Sequence, residues 1–385
     1  MEPGMKDGQT NLVLRSEIGP EAVLRLRLCE EALPPLAAGE VRIQMEAAPV
    51  NPSDMGLLLA SADLSTAQLN DQGNCCEMTA ELVNRRPGPF ERRVGLSLAV
   101  GNEGTGMVVD AAPDVRHMIG QTVAAFGGAM YARYRTIAAD DCLVVPSHTP
   151  PPARAGLFVN PLTALAMVEV MRMEGHRALV HNAAASNLGQ MLVKICMTDG
   201  VDLVNIVRGA EQVALLKSLG AERVVDSSAA DFREALSREI GETRATIAFD
   251  PVGGGTMTNM LLHAMEASEV RFSSSYSLYG SETPKQVYIY GSLDPGETVL
   301  DRGYGLAWSV GAFLVTHFLN KVARETRERL LSRIAREHET TFASHFSAEI
   351  GLADLLRPDI LKKLVQKKTG NKYLLRFDRD PGSRA

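Results

Sequence analysis

The chain has 385 residues, 45% hydrophobic and 22% charged, the balance of a soluble globular protein. Its 40 Lys and Arg against 46 Asp and Glu give a net charge of -6; with no long basic tract, nucleic acid is excluded as a first partner, and apolar residues throughout exclude extended disorder. Five scattered Cys make no disulfide framework and suit a reducing cytoplasm.

Met1 to Thr10 is polar and lacks the apolar core of a signal peptide. The first ~150 residues read as β-rich. Leu12–Arg15, Val23–Leu28 and Val41–Met45 are strand-like, two of them alternating apolar and polar side chains as half-buried antiparallel strands do. Gly106–Val109, Thr122–Phe126 and Ala132–Ile137 continue the pattern and predict a compact β-barrel-like domain. After Pro150-Pro151-Pro152 the texture changes. A helix is predicted over Ala153–Met173. Strands and helices then alternate: Ala178–His181, Leu188–Met197, Leu203–Val207, Ala210–Leu219, Arg223–Asp226, Ala230–Glu239, Thr246–Asp250, Thr256–Met265 and Val287–Tyr290. Strict βα alternation with right-handed crossovers predicts a doubly wound parallel sheet of Rossmann type. The longest apolar run, Leu306–Leu319, falls short of the ~20 residues that span a bilayer. It reads as a buried or subunit-contact helix, and no membrane span is expected. The tail holds a charged helix from about Glu325, a strand near Ala343–Ile350, a helix Leu355–Lys368 and a last strand Tyr373–Phe377 that returns to the first domain.

The first βα turn of the second half reads His181-Asn182-Ala183-Ala184-Ala185-Ser186-Asn187-Leu188-Gly189-Gln190. It lacks the G-x-G-x-x-G string of dinucleotide sites. Its small residues still let a backbone approach phosphates, Asn187 tolerates positive φ, and Gly189 lets the helix lie close on the strand, with the helix N-terminus aimed at an anion. A plain βα connection is the alternative. About 20 residues on, where a carboxylate would bind a ribose 2′-hydroxyl, stands Arg208. A guanidinium suits a 2′-phosphate, which favours NADP(H) over NAD(H); a solvated arginine at a helix start is the other reading. Two further strand ends, Asp250-Pro251-Val252-Gly253 and Tyr290-Gly291-Ser292-Leu293, lie where ligands of open α/β sheets bind, or are tight turns only.

Asn51-Pro52-Ser53-Asp54, Gly101-Asn102-Glu103-Gly104-Thr105-Gly106, Asn160-Pro161-Leu162-Thr163-Ala164 and Leu219-Gly220-Ala221 follow one another in an order that resembles the medium-chain dehydrogenase/reductase superfamily. Asn182-Ala183 with Gly189-Gln190, and Val207-Arg208, resemble more narrowly its zinc-independent quinone oxidoreductases and 2-enoyl thioester reductases. The resemblance implies a discontinuous GroES-like catalytic domain (1–152 and 322–385), a Rossmann NADP-binding domain (153–321) and a homodimer. It implies that Asn51 and Thr163 orient the nicotinamide, that Ala185, Ser186, Asn187 and Leu188 face the pyrophosphate beside Gly189, and that Arg208 holds the 2′-phosphate. Asp250, Val252 and Gly253, with Tyr290, Gly291, Ser292 and Leu293, would flank the nicotinamide half. Trp308–Leu314 would touch the cofactor or a second subunit, or fill the core. Glu103 would support the site from behind or serve as a structural loop carboxylate.

The zinc-ligand positions of metal-dependent relatives fall on Asn51, Asn102 and Val159, none a good zinc ligand. Cys75-Cys76 is an adjacent pair on a predicted exposed loop, so no metal is expected. The Tyr that enoyl reductases carry after the Asn-Pro-Ser-Asp motif is absent; Ala60-Ser61-Ala62 stands there. Insertions near 64–98 and 268–285, the latter with Tyr276 and Tyr279, are long enough to be functional. The pairs Arg85-Arg86 and Arg92-Arg93 would meet an acidic substrate or solvent, and Tyr131 and Tyr134 read as structural. The expected activity is an NADPH-dependent oxidoreductase passing hydride to a quinone or an α,β-unsaturated carbonyl. The alternatives are a 2-enoyl thioester reductase or a non-catalytic NADPH-binding protein.

Overall fold

A computed structural model describes residues 10–72, 75–83, 89–366, 370 and 372–379. The chain divides into two compact units, one of residues 1–159, 335–339 and 343–385, the other of residues 160–334 and 340–342. From sequence alone the boundaries fall at 152/153 and 321/322. The helix Arg324–Glu337 goes mainly with the second unit, where Arg329 pairs with Glu169 at 2.8 Å and Arg333 with Asp199 at 2.9 Å.

The first unit runs through β1 (Thr10–Ile18), β2 (Val23–Ala32), β3 (Glu40–Val50), β4 (Gln68–Gln72), β5 (Cys75–Glu81), β6 (Leu98–Ala99), β7 (Glu103–Ala111), β8 (Thr122–Phe126), β9 (Tyr134–Ala138) and β10 (Cys142–Val144). One sheet has the order β4-β5-β2-β1-β6. In β2 the alternation is literal: Leu24 and Leu26 are fully buried between Arg25 and Arg27. Leu14, Ile43 and Val123 join them in one core. Much of the 64–98 segment is therefore sheet. Gln68–Gln72 and Cys75–Glu81 pair antiparallel and extend β2 outward, so Cys76 lies on a strand where a loop was expected. Arg93 donates to Ser16 Oγ at 2.7 Å, to Gly56 O at 3.1 Å and to Leu57 O, which gives it a structural task; Arg85 and Arg86 lie outside the described residues.

The second unit holds β11 (Ala178–His181), β12 (Asp202–Val207), β13 (Arg223–Asp226), β14 (Ile247–Asp250), β15 (Gly253–Gly255), β16 (Lys285–Ile289), β17 (Asp294–Thr298) and β18 (Trp308–Ala312). Six of these make a wholly parallel sheet in the order β13-β12-β11-β14-β16-β18, and β15 pairs with β17. The strand order reverses at β11, the switch point where doubly wound sheets bind ligands. Val180, Val204, Ile206, Leu261 and Val287 form its buried core.

Three expected helices differ. The helix over Ala153–Met173 is two, Pro151–Arg154 and Val159–Met173. Pro161 lacks an N–H and fits a helix only in its first turn, so a new helix starts just before it. Among the described residues, 151–173 is the one helical stretch with the length and apolarity of a membrane span, and 72% of its most apolar window is buried in the fold. Leu306–Leu319 is strand β18 followed by a short helix Val315–Leu319. The tail helix is shortened to Pro358–Leu364, with Pro358 in its first turn. The chain then returns to the first unit as β19 (Ala348–Ile350) and β20 (Tyr373–Arg376), and β20 pairs antiparallel with β3.

The helix Met257–Phe272 runs into the 268–285 segment, whose far end folds back on it. Glu266 accepts from Ser281 N (2.8 Å), Ser281 Oγ (2.6 Å) and Lys285 Nζ (2.6 Å), and Thr283 donates to Glu269 at 2.7 Å. Tyr276 and Tyr279 face solvent. Lys285 is completely buried, so its ammonium depends on this carboxylate. Lys285→Met should strand a largely buried Glu266 and cost about 3 kcal/mol, within the range for breaking a buried pair. Trp308, the one Trp of the chain, lies edge-on to Tyr304 in the same unit and reports that loss by fluorescence in urea. A change below about 1 kcal/mol would mean that the pair is not a stabilising anchor.

Candidate functional site

At the carboxyl edge of the six-stranded sheet, the β11 turn, the β14 loop and the β16 loop come together. Ser186 caps the helix Asn187–Asp199, its hydroxyl accepting from Gly189 N at 3.1 Å. A Cβ on Gly189 would stand 2.1 Å from the Ala184 carbonyl oxygen, so only glycine lets the helix start this close to the strand. The positive φ of the turn belongs to Ala183 (54°) and not to Asn187, which is already helical. Ala183 holds that conformation because its N–H donates to Asn182 Oδ1 at 2.8 Å. Ala185 and Leu188 are buried beneath the turn.

Asp250 organises the neighbouring loops. It is fully buried and accepts from Asn182 Nδ2 (2.8 Å), Val252 N (2.9 Å) and Gly253 N (3.2 Å). One carboxylate thus ties the β11 turn to the β14 loop. Its hydrogen bonds point inward, so Asp250 acts by holding backbone in place. The β16 loop is zipped on by Leu293 N to Pro251 O and Asp294 N to Val252 O, both 3.0 Å. Gly291 permits this: a Cβ there would meet Pro251 O at 2.6 Å. Ser292 is exposed.

Tyr290 reaches across β14 to a residue given no role from sequence. Its hydroxyl lies 2.7 Å from His181 Nε2, with the rings stacked 5.9 Å apart. His181 is completely buried and its Nδ1 has no hydrogen-bond partner among the described residues. Burial pushes its pKa down to about 3 and raises that of the Tyr290 phenol, so the pair is neutral and uncharged at ordinary pH. A lone His at a strand end carries no sequence signal of such a partner.

Arg208 follows β12 and is exposed; its backbone N–H donates to Gln212 Oε1 at 2.8 Å, while its guanidinium has no partner among the described residues. Its neighbour Gly209 is fixed by a 2.9 Å bond to Asp226 Oδ1. Thr163 lies buried in the helix Val159–Met173 of this unit.

The first unit carries a second cluster, built on the end of β3. Asn51 N donates to Asp54 Oδ2 (2.8 Å), and Asn102 N to Asp54 Oδ1 (2.9 Å). Tyr131, fully buried, donates to Asp54 Oδ2 at 3.0 Å. Burial outweighs these bonds and pushes Asp54 up to about 7. Asn51 Nδ2 donates to Glu103 Oε1 at 2.8 Å, and Glu103 Oε2 accepts from Phe158 N and Val159 N, both at 2.9 Å. Lys372 comes from the tail. Tyr373 of β20 pairs with Val50 of β3, which sets Lys372 across from Asn51. Its Nζ is buried with no hydrogen-bond partner among the described residues and stands 5.2 Å over the Phe346 ring. Burial pushes the Lys372 ammonium down against the pull of Glu103 and Asp54. No sequence signal marked Lys372. Among the described residues no three His, Cys, Asp or Glu converge as a metal site. In the segment after Asp54, Ala60 sits at φ 50° in a turn.

The parallel sheet, its glycine-dependent turn and the loops at its carboxyl edge define the second unit as a Rossmann-type fold, and the first unit is β-rich. A family model described as zinc-binding dehydrogenase matches residues 188–273. The mitochondrial enoyl-[acyl-carrier-protein] reductase of Xenopus tropicalis is 26% identical over 333 residues, covering 84% of this chain and 82% of that one. The Bos taurus enzyme of the same name is 28% identical, over 63% of this chain and 60% of its own length. The fold is that of Escherichia coli quinone oxidoreductase complexed with NADPH, with a TM-score of 0.64 at 18% identity over 96% of this chain and all of that one. In sequence the chain is thus similar to zinc-binding dehydrogenases over part of its length and to enoyl-[acyl-carrier-protein] reductases over most of it, and in fold it is similar to quinone reductases.

His181 makes a pH prediction. Unfolded it titrates near 6.5 and folded near 3, so between these values the unfolded chain binds the extra proton. The stability it contributes is complete above about 6.5 and falls as the pH drops toward 3, by about 1.4 kcal/mol per pH unit. His181→Gln should flatten that part of the stability profile measured by urea unfolding; an unchanged slope would show that another group titrates.

Proposed function

We propose that the protein is an NADPH-dependent reductase that passes hydride to a quinone or to a C=C bond conjugated to a carbonyl, without zinc. The observation that carries this reading is Arg208, an unpartnered guanidinium at the end of β12 beside the capped helix start at Ser186. Free N–H groups at a helix start and a fork of guanidinium donors suit a pyrophosphate and a 2′-phosphate. The Lys372 ammonium and Asn51 Oδ1, both buried polar atoms without a hydrogen-bond partner among the described residues, also fit a bound polar ligand. When bound, the nicotinamide supplies the hydride. Asn51 and Thr163 orient it, and the Asp250-braced loops through Gly253 and Leu293 hold the backbone against its flank.

The acceptor is chosen partly by what is missing. Reduced quinone oxygens can take protons from solvent, whereas an enolate needs a donor in the site. The Tyr that would serve an enoyl reductase is replaced by Ala60-Ser61-Ala62, and Tyr131 is spent on Asp54. This favours the quinone. The sequence relationship to the enoyl-[acyl-carrier-protein] reductases supports the second reading, a 2-enoyl thioester, with its proton drawn from elsewhere. A homodimer in a reducing cytoplasm completes the proposal; β18 at the end of the six-stranded sheet and the scattered Cys support it.

The test is NADPH oxidation with a panel of quinones and a crotonyl thioester. Turnover of quinones supports the leading reading, and turnover of the thioester alone supports the second. No turnover of either, with NADPH still bound, would leave a non-catalytic binding protein. Arg208→Ala should weaken NADPH binding by about 1.5–3 kcal/mol, the worth of lost charge-assisted hydrogen bonds, and barely change NADH. Equal losses for both cofactors, or none, would overturn the 2′-phosphate assignment.

A further inference from the structure

Glu103 is completely buried, and every hydrogen bond found for it is one that it accepts. An ionised carboxylate has no proton to give. Its Oε2 is taken by the two backbone N–H groups of Phe158 and Val159, so Oε1 can face only the NH2 side of the Asn51 amide. That settles which way the amide is turned. Asn51 is 2% exposed, and its Oδ1 is buried without a hydrogen-bond partner among the described residues. A buried carbonyl oxygen of this kind is costly unless a donor arrives. The same corner holds the Lys372 ammonium: a Cβ on Gly156 would stand 3.6 Å from Lys372 Nζ and 3.9 Å from Glu103 Oε1.

We infer that Glu103 is a positioning residue that fixes the polarity of Asn51, so that Asn51 offers an acceptor to a neutral N–H or O–H donor of the bound ligand. The inference rests on the reductase reading above for the identity of that ligand. Two groups there carry the required chemistry: the primary carboxamide of a nicotinamide, and the hydroxyl formed when a quinone oxygen is reduced. Asn51 in this orientation repels an enolate oxygen, so it is not the donor that stabilises one.

The consequence is a parity rule. In Glu103→Gln the new carbonyl oxygen must serve Phe158 N and Val159 N, which turns the new NH2 toward Asn51. Asn51 must then flip, take that NH2 with Oδ1 and present its own NH2 outward. Asn51→Asp in the Glu103→Gln background restores the order, since one Asp oxygen accepts from the Gln and the other again points outward as an acceptor.

Three measurements test this. The first is hydrogen exchange of the Asn51 side-chain amide by 15N NMR. In the wild-type protein it should be protected, and in Glu103→Gln it should exchange about tenfold faster or more. The second is NADPH affinity, and the third kcat with a quinone. A carboxamide donor predicts a weaker NADPH Kd in Glu103→Gln, and a quinol hydroxyl predicts a fall in kcat at unchanged Kd. Either should be about tenfold or more, with most of it recovered in Asn51→Asp/Glu103→Gln. A Glu103→Gln protein with Kd and kcat both within about twofold of wild type, or a loss that the double variant does not recover, would overturn the inference. If Glu103→Gln does not fold, an unprotected Asn51 amide in the wild-type protein overturns it. A wild-type protein that reduces no acceptor removes the reductase reading, while the exchange and NADPH-affinity measurements still decide the orientation of Asn51.

Discussion

Everything at the carboxyl edge of the six-stranded sheet depends on the buried carboxylate of Asp250. A carboxylate out of contact with water must be filled with donors. Asp250 finds them in Asn182, Val252 and Gly253, and by taking them it fixes two loops at once. Asn182 in turn holds Ala183 in a left-handed conformation, which sets the small-residue turn and the helix start at Ser186. The β16 loop is then laid on Pro251 and Val252 through backbone hydrogen bonds. The place proposed for an anionic nucleotide is thus built on strand ends, and its shape is specified by an acceptor whose own hydrogen bonds are all made within the fold.

Glu103 does the same in the first unit. It too is fully buried and is filled by one side-chain amide and two backbone N–H groups. The two carboxylates show one physical rule at work. A group that can only accept dictates the orientation of each donor around it, and so dictates what the outer face of those donors offers. The side-chain amide of Asn51 is thereby given a defined sense.

The fold was legible because its signals are periodic. Leu24 and Leu26 alternate with arginines, and the βα units repeat from Ala178 to Ile289 with caps and turn residues between them. Gly189 could be singled out because close helix–strand packing demands a missing Cβ, and Arg208 because its distance from the turn is set by strand and helix length. What stayed hidden depends on long-range pairing. His181 and Tyr290 are 109 residues apart, and Lys372 comes across from Asn51 only through the register of β20 on β3. The strands within the segment 64–98 carried little sequence signal because β4 and β5 are short and rich in polar residues, and tertiary pairing makes them strands. Leu306–Leu319 is apolar enough for a helix, but its place beside β16 makes its centre a strand. The positive φ fell on Ala183 and not Asn187 because a side-chain bond from Asn182 outweighs residue preference.

The measurement that bears most directly on the account is calorimetric titration of the wild-type protein with NADPH and with NADH at one salt concentration. The account predicts that NADPH binds at least about tenfold more tightly, with the preference shrinking as salt screens the 2′-phosphate. Equal affinity for the two nucleotides, or no binding of either, would contradict it.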